Sequence, residues 1–448
     1  MNTKRSRKAR RRSTSELYDT RAAPTRTLVL YPSLRGKWRR PRDDDRALEE
    51  AVALARAIDL DIVSEEIIVV RSLKPGLYMG SGQVEDLHGY IKEKEIELVF
   101  IDTTLSPVQQ RNLEKKLHAK VIDRTGLILD IFGARAATRE GVLQVEMAAL
   151  TYQRSRLVKS WTHLERQRGG LGAIGGPGES QLEIDRRLID ERLARLRKEL
   201  DDVVRMREQH RGARRKVPYP IVALVGYTNA GKSTLFNHLT GAKVYADEKV
   251  FATLDPTLRG IDLPSGRRVI LSDTVGFISD LPTALVAAFR ATLEEVIEAD
   301  VMLHVRDMSD PDAGTQADDV LSVLDELGID EAQRDERMIE VMNKIDLLDP
   351  EEREVVEESV GRRSDATAIS AITGEGIDAL LDIVSRRVWA GRQVVDLKVS
   401  VTDGKALSFL YDHGEVLERS DGEREVALKV GIEIKDLERF KKMALAIA

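Results

Sequence analysis

The run Gly226-Tyr227-Thr228-Asn229-Ala230-Gly231-Lys232-Ser233 constrains this chain more than any other segment. It reads G-x-x-x-x-G-K-S and follows the apolar stretch Ile221-Val222-Ala223-Leu224-Val225. A strand, a glycine turn and a helix beginning near Thr234 form a cradle for phosphates. Turn N–H groups face the α/β-phosphates, Lys232 reaches the β/γ-phosphates, and the Ser233 hydroxyl is placed to ligate Mg²⁺. Gly226 and Gly231 permit backbone angles and approaches that a Cβ would block.

The 448 residues hold enough chain for about three domains. There are no cysteines, which excludes disulfides, thiolate metal sites and cysteine nucleophiles, and suits a reducing cytosol. No apolar run approaches the roughly 18 residues of a membrane span, so a cytoplasmic protein without membrane insertion is expected. The net charge of −6 conceals an asymmetry: Lys4, Arg5, Arg7, Lys8, Arg10, Arg11 and Arg12 crowd one end. Residues 1–25 read as a basic disordered tail, either holding a polyanion such as RNA or simply solvated.

Strand and helix patterns alternate from Thr27 to Ile122, which predicts a small parallel α/β domain over 26–135. The period then changes. Leu143, Met147, Leu150, Arg154, Leu157, Trp161 and Leu164 are spaced 4-3-4-3-4-3, and Ile189, Leu193, Leu196, Leu200 and Val203 are spaced 4-3-4-3. These are heptad seams, broken once by Arg154. Two such helices should fold back on each other as an antiparallel coiled-coil arm over 136–216, with a glycine-rich tip at 168–180. Within the tip, Gly170-x-Gly172-x-x-Gly175 imitates a dinucleotide fingerprint, but a heptad helix precedes it rather than a strand, so that reading is rejected. Arg154, Arg156, Lys159, Arg166 and Arg168 flank the tip, a composition suited to following an RNA backbone. The competing reading is a solvated helix surface with a floppy turn.

A G domain is expected over 217–390. The polar stretch Phe251, Ala252, Thr253, Leu254, Asp255 lies where a first switch would close over Mg²⁺, and Thr253 and Thr257 both qualify by chemistry. Asp273, Thr274, Val275 and Gly276 end an apolar strand. The aspartate there can hold Mg²⁺, often through water, and the glycine can offer its N–H to a γ-phosphate. Asn343, Lys344, Ile345 and Asp346 follow another strand. A carboxylate at Asp346 accepts from both guanine N1–H and the N2 amino group, a donor pair that adenine lacks. Ser370, Ala371 and Ile372 then present backbone to the guanine oxygen. Together these select GTP and GDP, with Mg²⁺ as cofactor. Asn229 is a candidate for holding K⁺ beside the phosphates, or for stabilising the turn.

These elements resemble the translation-factor-related class of P-loop GTPases. The runs IDRTGLILDIF at 122–132, GPGESQLEIDRR at 176–187 and FATLDPT at 251–257 are similar to HflX-type GTPases. The resemblance covers about residues 26–390. It implies an N-terminal α/β domain, a helical arm, a G domain and a small C-terminal α/β domain, here 391–448. It implies binding to the large (50S) ribosomal subunit and its rRNA, with the arm's loop reaching toward the peptidyl-transferase region. It further implies splitting or rescue of stalled ribosomes under stress, and assigns Mg²⁺ to Ser233 and Thr253, with Lys232, Thr253 and Gly276 at the reaction centre. Ser180 stands where Thr is more usual in the family. A monomer that does not bind DNA is expected.

Phosphoryl transfer is mostly positioning and charge neutralisation. Many GTPases place a water-orienting Gln directly after D-x-x-G, whereas this chain has Phe277, which cannot orient water by hydrogen bonding. Slow intrinsic hydrolysis, accelerated when a ribosome completes the site, is therefore expected. Two other readings stay open. One is a GTPase in tRNA modification or signalling whose arm docks a protein. The other is an RNA-binding module that uses nucleotide only as a structural ligand.

Overall fold

The computed structural model describes residues 24–35, 43–167, 181–214, 219–241, 251, 257–279, 290–389 and 392–445. The basic leader up to residue 23, the glycine tip at 168–180, and Ala252, Thr253, Leu254 and Asp255 lie outside the described residues.

The first domain alternates β1 (Arg26–Leu34), α1 (Asp44–Arg56), β2 (Asp61–Val70), α2 (Ser81–Glu93), β3 (Leu98–Ile101), α3 (Pro107–Leu117) and β4 (Lys120–Asp123). Its sheet runs β2-β1-β3-β4, all parallel. β1 is interior and its Leu28, Val29 and Leu30 are fully buried, as a parallel strand covered on both faces requires. Side chains set the helix starts. Asp43 accepts from the N–H groups of Asp45 and Arg46, and Ser106 forms a capping box with Gln109 ahead of Pro107. Helix α4 (Arg124–Arg135) follows β4 directly. It buries Leu127, Ile128, Leu129, Ile131 and Phe132, so it shows no amphipathic stripe by which periodicity could reveal it.

The arm consists of α5 (Arg139–Gln167) and α6 (Gln181–Arg214). Three cross-helix ion pairs establish that they are antiparallel: Arg139 with Glu199, Glu146 with Arg192, and Arg154 with Asp190. At 1.5 Å per residue α5 spans about 44 Å. Leu143, Leu193 and Leu196 are buried, in keeping with the heptad seams. A second stripe on α5, Val145 and Ala148, joins the core that holds Leu127, Ile131 and Phe132, so the base of the arm is built into the N-terminal domain. Two basic side chains expected to flank an RNA-following tip are used internally. Arg154 pairs with Asp190 at 2.6 Å, and Arg156 pairs with the fully buried Asp123 at 2.7 Å. The side chains of Lys159, Arg166 and Arg168 lie outside the described residues.

The G-domain sheet is built from β5 (Ile221–Gly226), β6 (Thr257–Asp262), β7 (Arg268–Asp273), β8 (Val301–Asp307), β9 (Met338–Asn343) and β10 (Ala366–Ala368). Its order is β10-β9-β8-β5-β7-β6, parallel except that β6 runs against β7. Val225, Tyr227, Phe277 and Val320 share one core cluster with Val29, Leu54 and Phe132 of the N-terminal domain. The two domains therefore meet through packed apolar side chains. At the C-terminus, β11 (Arg392–Ser400), β12 (Gly414–Asp421) and β13 (Glu425–Glu433) form an antiparallel sheet in the order β11-β13-β12. Helices Gly404–His413 and Ile434–Leu445 bring Leu410 and Phe440 to the core beside Val399, Val430 and Ile432. β12 is largely exposed and polar, which hides it from a hydrophobic-pattern reading.

Candidate nucleotide-binding site

The four motif-bearing turns sit at the carboxyl ends of β5, β7, β9 and β10, where open α/β sheets place their ligands. At the first turn, Gly226 has φ +149°, and a Cβ there would lie 2.2 Å from the Val305 carbonyl oxygen. Gly231 has φ +94°, and its Cβ would lie 2.2 Å from Asn343 Nδ2. Gly226 is thus demanded by the approach of the Val305 backbone, and Gly231 by its positive φ and the approach of the Asn343 side chain. Asn229 has φ +61°, a left-handed position that asparagine tolerates, which accounts for the residue without a cation. Helix α7 (Lys232–Thr240) starts immediately after Gly231.

Lys232 is buried, and its Nζ donates to the carbonyls of Gly226 at 3.1 Å and Tyr227 at 2.6 Å. Burial pushes its pKa down to about 8, against the opposing attraction of Asp273. The Ser233 hydroxyl donates to Asp273 Oδ2 at 2.8 Å, bringing two oxygen ligands together beside the lysine. Thr274 turns its hydroxyl back onto the Leu224 carbonyl. Gly276 packs so tightly that a Cβ would come within 2.9 Å of Thr228 Cα and 3.0 Å of Lys232 Nζ. The next residue closes a short parallel bridge: Thr228 N–H donates to Phe277 O at 2.7 Å, and Phe277 N–H donates to Gly226 O at 3.1 Å. The Phe277 ring is buried, so its backbone faces the phosphate turn and its side chain faces the core.

At the base end, Asn343 Nδ2 donates to the Ala230 carbonyl at 2.8 Å, and Asn343 Oδ1 accepts from Ala371 N–H at 3.0 Å. One amide thereby fixes three of the motif turns relative to one another. Lys344 takes φ +65° and pairs with Asp307 at 2.6 Å. Ile345 is buried, while Asp346 remains exposed in the turn after β9. Ser370 is fully buried and its hydroxyl accepts from Thr373 N–H, leaving Ile372 exposed at 73%. Phe251 is placed differently from expectation. Its ring is buried edge-on against Phe132 at 4.6 Å, which gives it to the core between domains.

The N-terminal domain contributes residues that motif reading missed. Tyr227 Oη donates to Glu50 Oε2 at 2.5 Å and accepts from Ser279 N–H at 2.8 Å. Arg124 Nη2 donates to Glu50 Oε1 at 2.5 Å and to the Ser279 carbonyl at 2.9 Å, while its Nη1 donates to Asp102 at 2.6 Å. Burial opposes the Arg124 charge, but Asp102 and Glu50 outweigh it and hold the guanidinium above its ordinary pKa. The preceding residue, Asp123, accepts from Tyr152 Oη and Arg156 of the arm. Adjacent residues therefore grip the arm and the nucleotide site. The run at 122–132 contains Arg124, but its partner at Ser279 is 155 residues away, beyond the reach of any local signal.

Four family models match successive parts of the chain. They are described as GTP-binding GTPase N-terminal (45–133), GTP-binding GTPase Middle Region (135–214), 50S ribosome-binding GTPase (221–344) and HflX C-terminal domain (355–442). The chain is 50% identical over 407 residues to the GTPase HflX of Magnetococcus marinus, covering 91% of this chain and 92% of that protein. It is 43% identical over 374 residues to the GTPase HflX of Escherichia coli, covering 83% and 86%. Among solved structures, a GTP-binding protein from Sulfolobus solfataricus in complex with GDP aligns with a TM-score of 0.43 at 24% identity, covering 81% of this chain and 99% of that one.

Proposed function

The chain belongs to the HflX family of GTPases, and from that premise we propose that it is a Mg²⁺-dependent GTP switch of the large ribosomal subunit, splitting or rescuing stalled ribosomes under stress. GTP binding and hydrolysis come with the family; the ribosomal role is the proposal. The observation that carries it is the arm: two long antiparallel helices anchored at Asp123, one residue from the Arg124 contact to the nucleotide site. The match of 221–344 to the 50S ribosome-binding GTPase model supports the same partner.

In this reading Lys232 and the turn amides hold the phosphates, and Gly276 offers its N–H to the γ-phosphate. Asn343 braces the base loop, and Asp346 selects guanine. Ser233 and Asp273 form an oxygen donor pair that fits a hard divalent cation, and Thr253 would complete it from the first switch. When bound, Mg²⁺ supplies neutralisation of phosphate charge. Phe277 offers no side-chain donor or acceptor to a water, so intrinsic hydrolysis is slow and large subunits accelerate it.

A second reading, an arm that docks a protein, draws on the internal pairing of Arg154 and Arg156, which removes two basic groups from the flank. Sedimentation with purified subunits in GTP, GDP and a non-hydrolysable analogue separates the two. Nucleotide-dependent co-migration with large subunits is expected, and its absence would overturn the ribosomal reading.

A further inference from the structure

The segment after β7 is held from two sides. On one side is the phosphate turn, whose Thr228 N–H and Gly226 carbonyl bond to the Phe277 backbone. On the other is the N-terminal domain. Glu50 accepts from Tyr227 Oη, Arg124 and Ser279 Oγ, and Arg124 also bonds the Ser279 carbonyl. Tyr227 joins the two sides, because it belongs to the phosphate turn and its hydroxyl accepts from Ser279 N–H. Tyr227 is 5% exposed and the Arg124 side chain 4%, so water competes little for these bonds.

A γ-phosphate contacted by both Lys232 Nζ and the Gly276 N–H must come between them. Gly276 lies so close to Lys232 and Thr228 that a single Cβ has no room. The Gly276–Phe277 backbone must therefore retreat from the turn to admit the γ-phosphate, and the Thr228–Phe277 bond must give way. GDP makes no such demand.

We propose that Tyr227, Glu50 and Arg124 are positioning residues for GTP hydrolysis: they clamp the 276–279 segment against the phosphate turn, so that the N-terminal domain sets how readily the γ-phosphate is engaged. The clamp discriminates between nucleotides rather than contributing to the affinity of both. It rests only on nucleotide binding at this turn and is independent of the ribosomal partner.

The test uses the full chain and fluorescent GDP and non-hydrolysable GTP analogues. Tyr227→Phe keeps the buried ring and removes the hydroxyl, and Glu50→Gln removes the charge from the other domain. Both should raise affinity for the GTP analogue relative to GDP by about fivefold or more. In Glu50→Gln, which leaves every residue of the phosphate turn in place, GDP affinity should stay near the wild-type value, which also reports an intact turn. Steady-state hydrolysis should show a lower KM for GTP. Ser279→Ala, which deletes only the Oγ contacts, should give a smaller shift in the same direction and serves if either other variant misfolds. An unchanged GTP-to-GDP preference, or an equal loss of both nucleotides, overturns the clamp. Failure of the wild-type chain to bind either nucleotide would instead strike at the GTPase assignment itself.

Discussion

Asn343 reaches from the end of β9 to the Ala230 carbonyl at 2.8 Å, so the turn after β9 is fastened to the glycine turn after β5. Its other amide atom accepts from Ala371, and a Cβ on Gly231 would collide with its nitrogen. Removing this side chain frees three turns at once. Asn343→Ala is expected to weaken GDP and GTP binding together, by about tenfold or more, and to cost about 1–3 kcal/mol of stability from unpaired buried groups. Nucleotide titration and thermal unfolding measure the two effects, and a loss confined to one nucleotide would contradict this role.

Asp346 is exposed, ready to accept from a base. Asp346→Asn converts one acceptor into a donor, which mismatches the guanine N2 amino group and matches the carbonyl of xanthine. GTP binding should fall by about a hundredfold, and xanthosine triphosphate should compete better than GTP. Competition against a fluorescent nucleotide decides it; retained guanine preference would remove Asp346 from the base site.

Lys232 carries a pH signature. Burial holds its pKa at about 8, below the ordinary value of 10.5. Phosphate binding favours the ammonium, so above pH 8 binding must take up a proton. Affinity for GDP should be flat at neutral pH and weaken by about tenfold per pH unit above 8. Lys232→Met should bind weakly with no such slope. The same depressed pKa bears on stability. The contribution of this group is present above the unfolded value of 10.5 and is lost as pH falls through about 8. A wild-type affinity independent of pH from 7 to 9.5 would show that Lys232 stays charged throughout.

Asp123 is fully buried and both its oxygens are used. Gly126 and Leu105 N–H groups donate to it at 2.9 and 3.1 Å, and Tyr152 and Arg156 donate from the arm. Asp123→Ala should cost about 3–5 kcal/mol, because it strands a half-buried guanidinium as well as a helix cap. Limited proteolysis should find the arm more labile while the G domain still binds GDP. An unchanged melting temperature would contradict this anchoring.

Gly276→Ala has no room for its methyl beside Thr228 and Lys232. The segment must shift, so GTP turnover should drop by about tenfold or more while GDP binding persists. Full activity in the alanine variant would mean that the contact yields at little cost.

The turn chemistry of this protein is local, and that is why it could be read without coordinates. Gly226 and Gly231 are dictated by positive φ and close approach within the turn, and the order of Lys232, Asp273, Asn343 and Ser370 along the chain follows from strands that each end at the same edge of one sheet. The heptad spacing of Leu143, Leu193 and Leu196 likewise prescribes a two-helix arm, since a 3.5-residue period buries one stripe. Helix α4 was illegible because it is apolar nearly all round, and β12 because it is polar.

Phe277 shows the division most plainly. Its identity alone says that position 277 supplies no side-chain amide to a water. Only the tertiary structure turns its ring into the core and its peptide onto the phosphate turn. Sequence likewise placed Tyr227 in a phosphate turn, but its hydroxyl meets Glu50, 177 residues away. Local spacing determines which backbone groups can cradle a phosphate. Which domain packs against that cradle depends on long-range pairing of buried charges, and no pattern along the chain encodes it.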